Sequence, residues 1–310
     1  MAFTNVVELN FGQEKITGTT KRGRLGTRAT TPDGRVFRYA LANGAILGGE
    51  LCQNVVDAEG VDSPLDYDMS VEEGAVATDL ASDGIAVGTR VLALLPTSIL
   101  DTALDASRFE DGMLYINDGP GQGSVYRVQS HTSVDTVASS LVRVTLETDD
   151  VVIDTPLTTA SLAGLISNLY RDVAVYNIET ARDSEDTAGV AGAEGGTGVI
   201  PVGVAPGPVA DNEYFWLQTW GLCAIKHDGA NGMTHTGYQV FPGGDSDTAG
   251  AMAGLDNLAT GTITDSALTD LEATSLDTDG LPRRFPPIGI MVGVRPDDGD
   301  YGLVFLTLAP

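Results

Sequence analysis

The clearest strand pattern in the chain is GMLYINDGPGQGSVYRVQSH, at residues 112–131. Two β-prone runs, Met113–Ile116 and Ser124–Gln129, flank the connection DGPGQG at 118–123. Two such runs around a connection rich in Gly and Pro form the pattern of a β-hairpin. The glycines of the connection do not make a dinucleotide-binding fingerprint, because they do not open a helix and their spacing differs from that motif.

Strand patterns continue on both sides of this hairpin. On the N-terminal side, the turn TPDG at 31–34 precedes the β-prone VFRY at 36–39. GIAVGTRVLALL and SSLVRVTLET, at 84–95 and 139–148, predict further strands. On the C-terminal side the strand patterns are VIPVGVAP (199–206), EYFWLQTWGLCAIK (213–226), TGYQVFPGG (236–244), FPPIGIMVGVRP (285–296) and GLVFLTLAP (302–310).

Helical patterns are few. Residues 158–171 place Leu162, Leu165, Ile166 and Leu169 at helical spacing, which predicts a short helix, and a second short helix is expected near 249–258. We therefore expect an all-β fold with few short helices, built of two sandwich or barrel-like regions behind an extended N-terminal arm. The expected divisions are an arm at 1–34, a first β domain at 35–155, a connection with a mobile loop at 156–198, and a second β domain at 199–310. Residues 180–198 and 245–282 are predicted loops.

The charge of the chain is its most unusual property. It has 43 acidic side chains, 30 of them Asp, against 14 Arg and only three Lys, for a net charge of −26. Such self-repulsion destabilises a compact state in dilute salt, whereas molar salt shortens the Debye length to about 3 Å and screens it. Many Asp and few Lys resemble the composition of proteins from salt-loving microbes and their viruses. The acidic body argues against binding to nucleic acid or to anionic membranes.

One segment reverses this charge. Residues 15–40 carry seven bases against one acid, a local charge of +6, so the other residues sum to −32. A basic arm on an acidic body suggests docking on an acidic partner surface, and its removal is expected to leave the β body folded. The alternative is a solvated N-terminus without a partner. The docking residues that we expect are Lys15, Lys21, Arg22, Arg24, Arg28, Arg35 and Arg38.

The residues that usually perform chemistry are sparse. The three histidines, His131, His227 and His235, are scattered along the chain. His227 and His235 would form a metal cluster with Asp228 only if a hairpin joined them. Polar residues on a turn are the better interpretation of this segment. Asp297, Asp298 and Asp300 are weak candidates for a structural cation, without the EF-hand layout. No cofactor is expected. We expect Cys52 and Cys223 to be buried free thiols, although their spacing also allows a disulfide.

The run YFWLQTWG at 214–221 concentrates the aromatic side chains. Strict alternation would place Tyr214, Trp216 and Trp220 on one face of a strand. Flat rings on one face can stack on sugars, so a glycan platform is one interpretation. Core packing combined with a subunit interface is the other and is favoured, because Trp and Tyr dominate both.

Three segments resemble structural proteins of tailed-virus particles, in particular head decoration or minor capsid proteins. They are LGTRATTPDGRVFRYALANGAILGGELCQ (25–53), FEDGMLYINDGPGQGSVYRVQSH (109–131) and VIPVGVAPGPVADNEYFWLQTWGLCAIK (199–226). The resemblance implies an oligomer that sits on an icosahedral head and contacts the major capsid protein. Together with the salt-loving composition, it suggests a haloarchaeal tailed virus.

The expected function is therefore a non-enzymatic capsid decoration or vertex turret protein. We expect a trimer or pentamer on the virion surface, assembled in the host cytoplasm, with contacts to the host cell surface as a further role. The N-terminus shows no secretory signal, and no apolar run is long enough to insert into a membrane. One alternative is a tail, fibre or baseplate component that binds host glycans through the aromatic run. Another is a polysaccharide-active β enzyme with paired carboxylates.

Overall fold

The computed structural model describes residues 7–54, 66–70, 87–96, 108–132, 142–148, 155–158, 161–176, 200–227, 236–242, 249–254, 287–293 and 300–310. These residues form an all-β protein, as predicted, with one 3-10 turn at Gln13–Lys15 as their helical element. The predicted loop at 180–198 lies outside the described residues, as does most of that at 245–282.

Seventeen strands make up the described fold. They are β1 (Val7–Glu8), β2 (Arg28–Thr30), β3 (Val36–Leu41), β4 (Leu51–Asn54), β5 (Asp66–Ser70), β6 (Val91–Pro96), β7 (Met113–Asp118), β8 (Val125–His131), β9 (Val142–Leu146), β10 (Leu162–Ile166), β11 (Val173–Val175), β12 (Pro201–Val204), β13 (Tyr214–Lys226), β14 (Gln239–Pro242), β15 (Met252–Gly254), β16 (Gly289–Met291) and β17 (Tyr301–Thr307). They divide between two compact units.

The first unit combines residues 1–55 with residues 170–310. Its eleven strands form one sheet with the order β1-β2-β3-β13-β17-β16-β14-β15, and β4, β11 and β12 branch from it at β13. The 13-residue β13 is the central strand of this sheet, because it pairs with β3 along its first half and with β17 along its second half. Apolar side chains at its alternate positions Phe215, Leu217, Cys223 and Ile225 are buried.

The second unit, residues 56–169, is a closed barrel with the order β10-β5-β6-β9-β8-β7. The hairpin β7–β8 is the one that the sequence predicts, with Met113 opposite Arg127. Alternate side chains of β7, β8 and β9 fill the interior, as expected for a small closed barrel whose strands have one face inside.

The barrel is inserted into a loop of the first unit. The chain leaves that unit after β4 and returns before β11, and these two strands are antiparallel neighbours, with Asn54 opposite Val173. The Asn54 Nδ2 also donates a hydrogen bond of 2.9 Å to the Arg171 carbonyl. The predicted divisions after residues 34, 155 and 198 follow chain order and differ from this arrangement, because β3 pairs with β13, and β4 pairs with β11 and β12, all of which come much later in the sequence.

Two predicted helices are wrong where the structure describes them. Residues 162–166 form β10, which hydrogen-bonds to β5 on one side and β7 on the other and so closes the barrel. Residues 252–254 form β15 against β14. β10 pairs with strands far away in the sequence and β15 with the preceding strand, and in both cases strand pairing outweighs a weak local helical pattern.

The N-terminal segment is folded onto the sheet and is not a separate extended arm. β1 runs parallel to β2, β2 pairs with β3, and Gly18 exchanges backbone hydrogen bonds with Tyr214 of β13. Leu9 and Ala29 are buried with Phe37 in one cluster. The segment therefore contributes strands and core to the first unit.

Candidate functional site

The basic segment presents only part of its charge to solvent. The exposed bases are Lys15, Arg22 and Arg24, whereas Lys21, Arg28, Arg35 and Arg38 are half-buried. Lys15 lies in the 3-10 turn, and the two exposed arginines lie in the irregular chain between that turn and β2. A partner can thus reach three of the seven predicted docking residues with least rearrangement.

Arg35 is held by two carboxylates of its own chain. Its Nε lies 2.8 Å from Asp33 Oδ2, and its Nη2 lies 3.3 Å from Oε1 of the buried Glu14. Burial acts to raise the pKa of Asp33, but hydrogen bonds from Thr31 and Arg35 together outweigh it and lower that pKa. Arg35 therefore neutralises a buried acid and supports the fold.

Arg38 also has a structural role. Its guanidinium donates hydrogen bonds to the Gly26 and Pro310 carbonyls at 3.3 and 3.4 Å, which ties β3 to the end of the chain. Arg28 lies directly opposite Arg38 in the β2–β3 ladder.

The predicted aromatic residues do not form a single platform. The Tyr214 and Tyr39 rings stack with centroids 5.7 Å apart, and Trp216 packs on Tyr39 at 5.1 Å. Trp216 also packs against the cluster that contains Leu9 and Phe37. These contacts secure the N-terminal segment to β13, and Tyr39, which sequence analysis did not single out, connects them.

Trp220 is separated from the other two rings by an irregularity in β13. Gln218 and Trp220 lie opposite the consecutive residues Phe37 and Val36, so the ladder shifts register between them. The Trp220 ring instead meets Phe305 of β17 edge-on, with centroids 5.5 Å apart. Beside the other rings, a groove of about 270 Å³ is lined by Tyr39, Tyr214, Trp216 and Arg22 among others.

The histidines and acidic residues that are described do not assemble a metal centre. His131 is buried, and its Nε2 accepts a hydrogen bond of 2.9 Å from the Phe109 amide, which is a structural role. His227 is buried, and its amide donates to the carbonyl of Asp300, whose own side chain is exposed. Asp297, Asp298, Asp228 and His235 lie outside the described residues. Within the part of the chain that the structure describes, no three His, Cys, Asp or Glu residues cluster as metal ligands would.

Both cysteines are buried free thiols, as expected. Burial raises the pKa of Cys223 to about 12, and that of Cys52 is raised further by burial and by the nearby Glu50. A thiolate is the reactive form of cysteine, so neither side chain suits nucleophilic chemistry.

Comparison of the chain with protein-family models, with curated proteins and with solved structures finds no match. Across the described ranges, no helix has the length and apolar character that crossing a membrane requires.

Proposed function

We propose that this chain is a structural protein of a virus particle, a capsid decoration or vertex turret protein. It docks on the major capsid protein through its basic N-terminal segment and projects outward as a homo-oligomer. The segments at 25–53, 109–131 and 199–226 support the viral assignment through their resemblance to head decoration and minor capsid proteins.

The observation that carries the docking role is the placement of the basic segment. Lys15, Arg22 and Arg24 are exposed on a segment that is itself fixed to the sheet by β1, β2 and the Gly18–Tyr214 hydrogen bonds. A preordered segment loses less conformational entropy on binding than a disordered one. The rest of the chain sums to −32, so this segment is where an acidic capsid surface can approach without repulsion.

High salt limits how these bases can act. At molar ionic strength the Debye length is about 3 Å, so attraction over a longer range is screened. The bases must then contact carboxylates directly, as charge-assisted hydrogen bonds do. Docking is therefore expected to depend on individual arginines rather than on total charge.

Co-sedimentation with capsid shells of the cognate virus tests this proposal at about 2 M NaCl. Arg22→Gln with Arg24→Gln is expected to weaken binding by about tenfold, since the loss of two direct contacts of this kind costs on the order of 1–2 kcal/mol. The matched control is Arg127→Gln with Arg143→Gln, which removes two exposed arginines from the barrel and changes net charge equally. Equal binding by both variants, or no binding by the natural chain, would refute the docking role.

Glycan binding, as in a tail or fibre protein, is a second candidate because of the groove beside Tyr39, Tyr214 and Trp216. The half-buried Tyr214 and Trp216 rings, next to Arg22, can stack on a sugar and donate hydrogen bonds to its hydroxyls. Titration of host surface polysaccharide against the natural chain and against Tyr214→Leu tests it, since Tyr214 lines the groove and is half-buried. Heat or fluorescence changes that Tyr214→Leu abolishes, with its urea unfolding transition retained, would favour this function over capsid decoration.

A further inference from the structure

The outer side of β13, β17 and β16 carries an exposed apolar surface. Three directly opposed side chains, Leu222, Phe305 and Ile290, form a row across these strands. Ala224 and Leu303 form the next row, and Val292 follows β16 beside Leu303. We call Leu222, Ala224, Ile290, Val292, Leu303 and Phe305 the apolar face.

The exposure of this face departs from the usual pattern of a one-sided sheet. Leu222, Leu303, Ile290 and Val292 are 48, 41, 43 and 42% exposed, whereas the alternate residues Val304, Leu306 and Met291 are buried. Antiparallel strands with one solvated face normally alternate apolar and polar residues. The barrel follows that rule on β8 and β9, where Arg127, Gln129 and Arg143 point outward.

The face also lacks acidic residues in a chain that has 43 of them. β13, β14, β16 and β17 contain no Asp or Glu, and Lys226 at the end of β13 is their single charged residue. Outside this face and the basic segment, a second copy meets the repulsion expected of a protein with a net charge of −26. Here two copies can approach without placing carboxylates against each other.

The size of the face matches the central part of an interface. Four of its side chains and the neighbouring Tyr301 are each 41–50% exposed, and the largest apolar patches on monomers, about 300–600 Å², are often functional. A stable interface buries about 800 Å² per partner, of which the centre is apolar and the margin polar. Lys226, Thr307 and Gln239 surround the face and would supply part of that margin.

We infer that a second copy of this chain packs on the apolar face in the assembled protein. Burying a face of this size removes apolar area from water and is the main favourable contribution available to the contact. A basic partner protein would need acidic residues on the apolar face, which has none. An acidic partner protein would meet only one base beside this face, Lys226. The inference deepens the homo-oligomer of the proposed function by naming its surface, and it does not depend on capsid docking.

Light scattering on the full chain at about 2 M NaCl tests the inference. The natural chain is expected to form a closed oligomer, whereas Leu222→Asp with Leu303→Asp should reduce the mass to that of the 32.2 kDa chain. The matched control, Met113→Asp with Val125→Asp, replaces barrel residues that are 49 and 55% exposed, and it should remain oligomeric. A monomeric natural chain, or an oligomeric Leu222→Asp/Leu303→Asp variant, would overturn the inference.

Crosslinking provides a variant that does not risk the fold. The natural thiols are buried, so Leu222→Cys introduces one accessible thiol at the centre of the face. Under mild oxidation it should give covalent dimers, and Val125→Cys should not. If Leu222→Cys gives no covalent dimer while the natural chain is oligomeric, the copies do not meet on this face and the inference is wrong. If the natural chain is oligomeric but does not bind capsid shells, only the proposed function fails.

Discussion

Asp33 and Arg35 show how single residues hold the basic segment in place. The two side chains are 2.8 Å apart, and Thr31 Oγ1 donates a further hydrogen bond of 2.5 Å to Asp33. Because both interactions favour the ionised carboxylate, the pKa of Asp33 lies below its ordinary value of 3.8. A group with a lowered pKa stabilises the fold above that ordinary value, and the contribution disappears as pH falls through the folded pKa.

Asp33→Asn is therefore expected to reduce the free energy of unfolding at pH 7 by about 0.2–1 kcal/mol, the range for exposed ion pairs. The difference from the natural chain should shrink as pH falls below about 4. Urea unfolding followed by tryptophan fluorescence measures it, and both tryptophans lie on β13, so the signal reports the first unit. A difference that stays constant from pH 7 to pH 3 would contradict this assignment.

Gly289 illustrates a close backbone approach that only the sheet reveals. A Cβ at this position would collide with the carbonyl oxygen of Phe305 on the neighbouring β17. Gly289→Ala is expected to destabilise the first unit by about 1–3 kcal/mol, the usual cost of overpacking. Gly18→Ala is the control, since a Cβ at Gly18 meets nothing within 4 Å. Equal urea midpoints for the two variants would refute this expectation.

At the level of elements, the N-terminal segment is where sequence and structure differ most. The pattern of glycines and bases predicted an arm whose removal leaves the body folded, but Leu9, Ala29 and Phe37 form a buried cluster beneath Trp216. Leu9→Ala is expected to lower the free energy of unfolding by about 2–3 kcal/mol, since it leaves a cavity in this cluster. Ile16→Ala, in the same segment but 50% exposed, should change it by less than about 0.5 kcal/mol.

Urea unfolding followed by fluorescence distinguishes a dispensable docking arm from a segment that forms part of the core. An arm that merely docks would make Leu9→Ala as mild as Ile16→Ala. The result also decides how capsid docking should be tested. Deletion of residues 1–30 would remove β1 and β2 together with part of the core, so surface substitutions are the sound way to test the bases.

At the level of the whole molecule, the barrel is an insertion between neighbouring strands. Because Asn54 and Val173 are paired, a short linker in place of residues 56–169 should close the first unit without strain. The shortened chain is expected to keep the tryptophan-fluorescence transition of the full chain in urea. Loss of a cooperative transition would show that the first unit does not fold without the insertion.

Net charge predicts a second property of the whole molecule. Raising NaCl from about 0.1 M to about 2 M should raise the unfolding midpoint, since screening weakens the repulsion among 43 carboxylates. Sucrose at matched osmolality, which is excluded from protein surfaces but screens nothing, is the control. A midpoint that rises no more with salt than with sucrose would count against adaptation to high salt.

The sequence alone predicts the fold class, the β7–β8 hairpin and most strand positions. Those features depend on local patterns, namely alternation at period two and turns marked by Gly and Pro. It also determined the charge contrast between residues 15–40 and the rest, because charge is a sum over composition.

The folded structure reveals the features that depend on contacts between distant residues. It assigned residues 28–54 to the unit of β13 and β17, turned 162–166 into the strand that closes the barrel, and linked Tyr39 to Tyr214 and Trp216. In GLVFLTLAP both sets of alternate residues are apolar, so the sequence does not show which set faces water. The pairing of β17 with β13 and β16 determines which set of its side chains forms the apolar face. A short window of sequence carries no signal of that pairing.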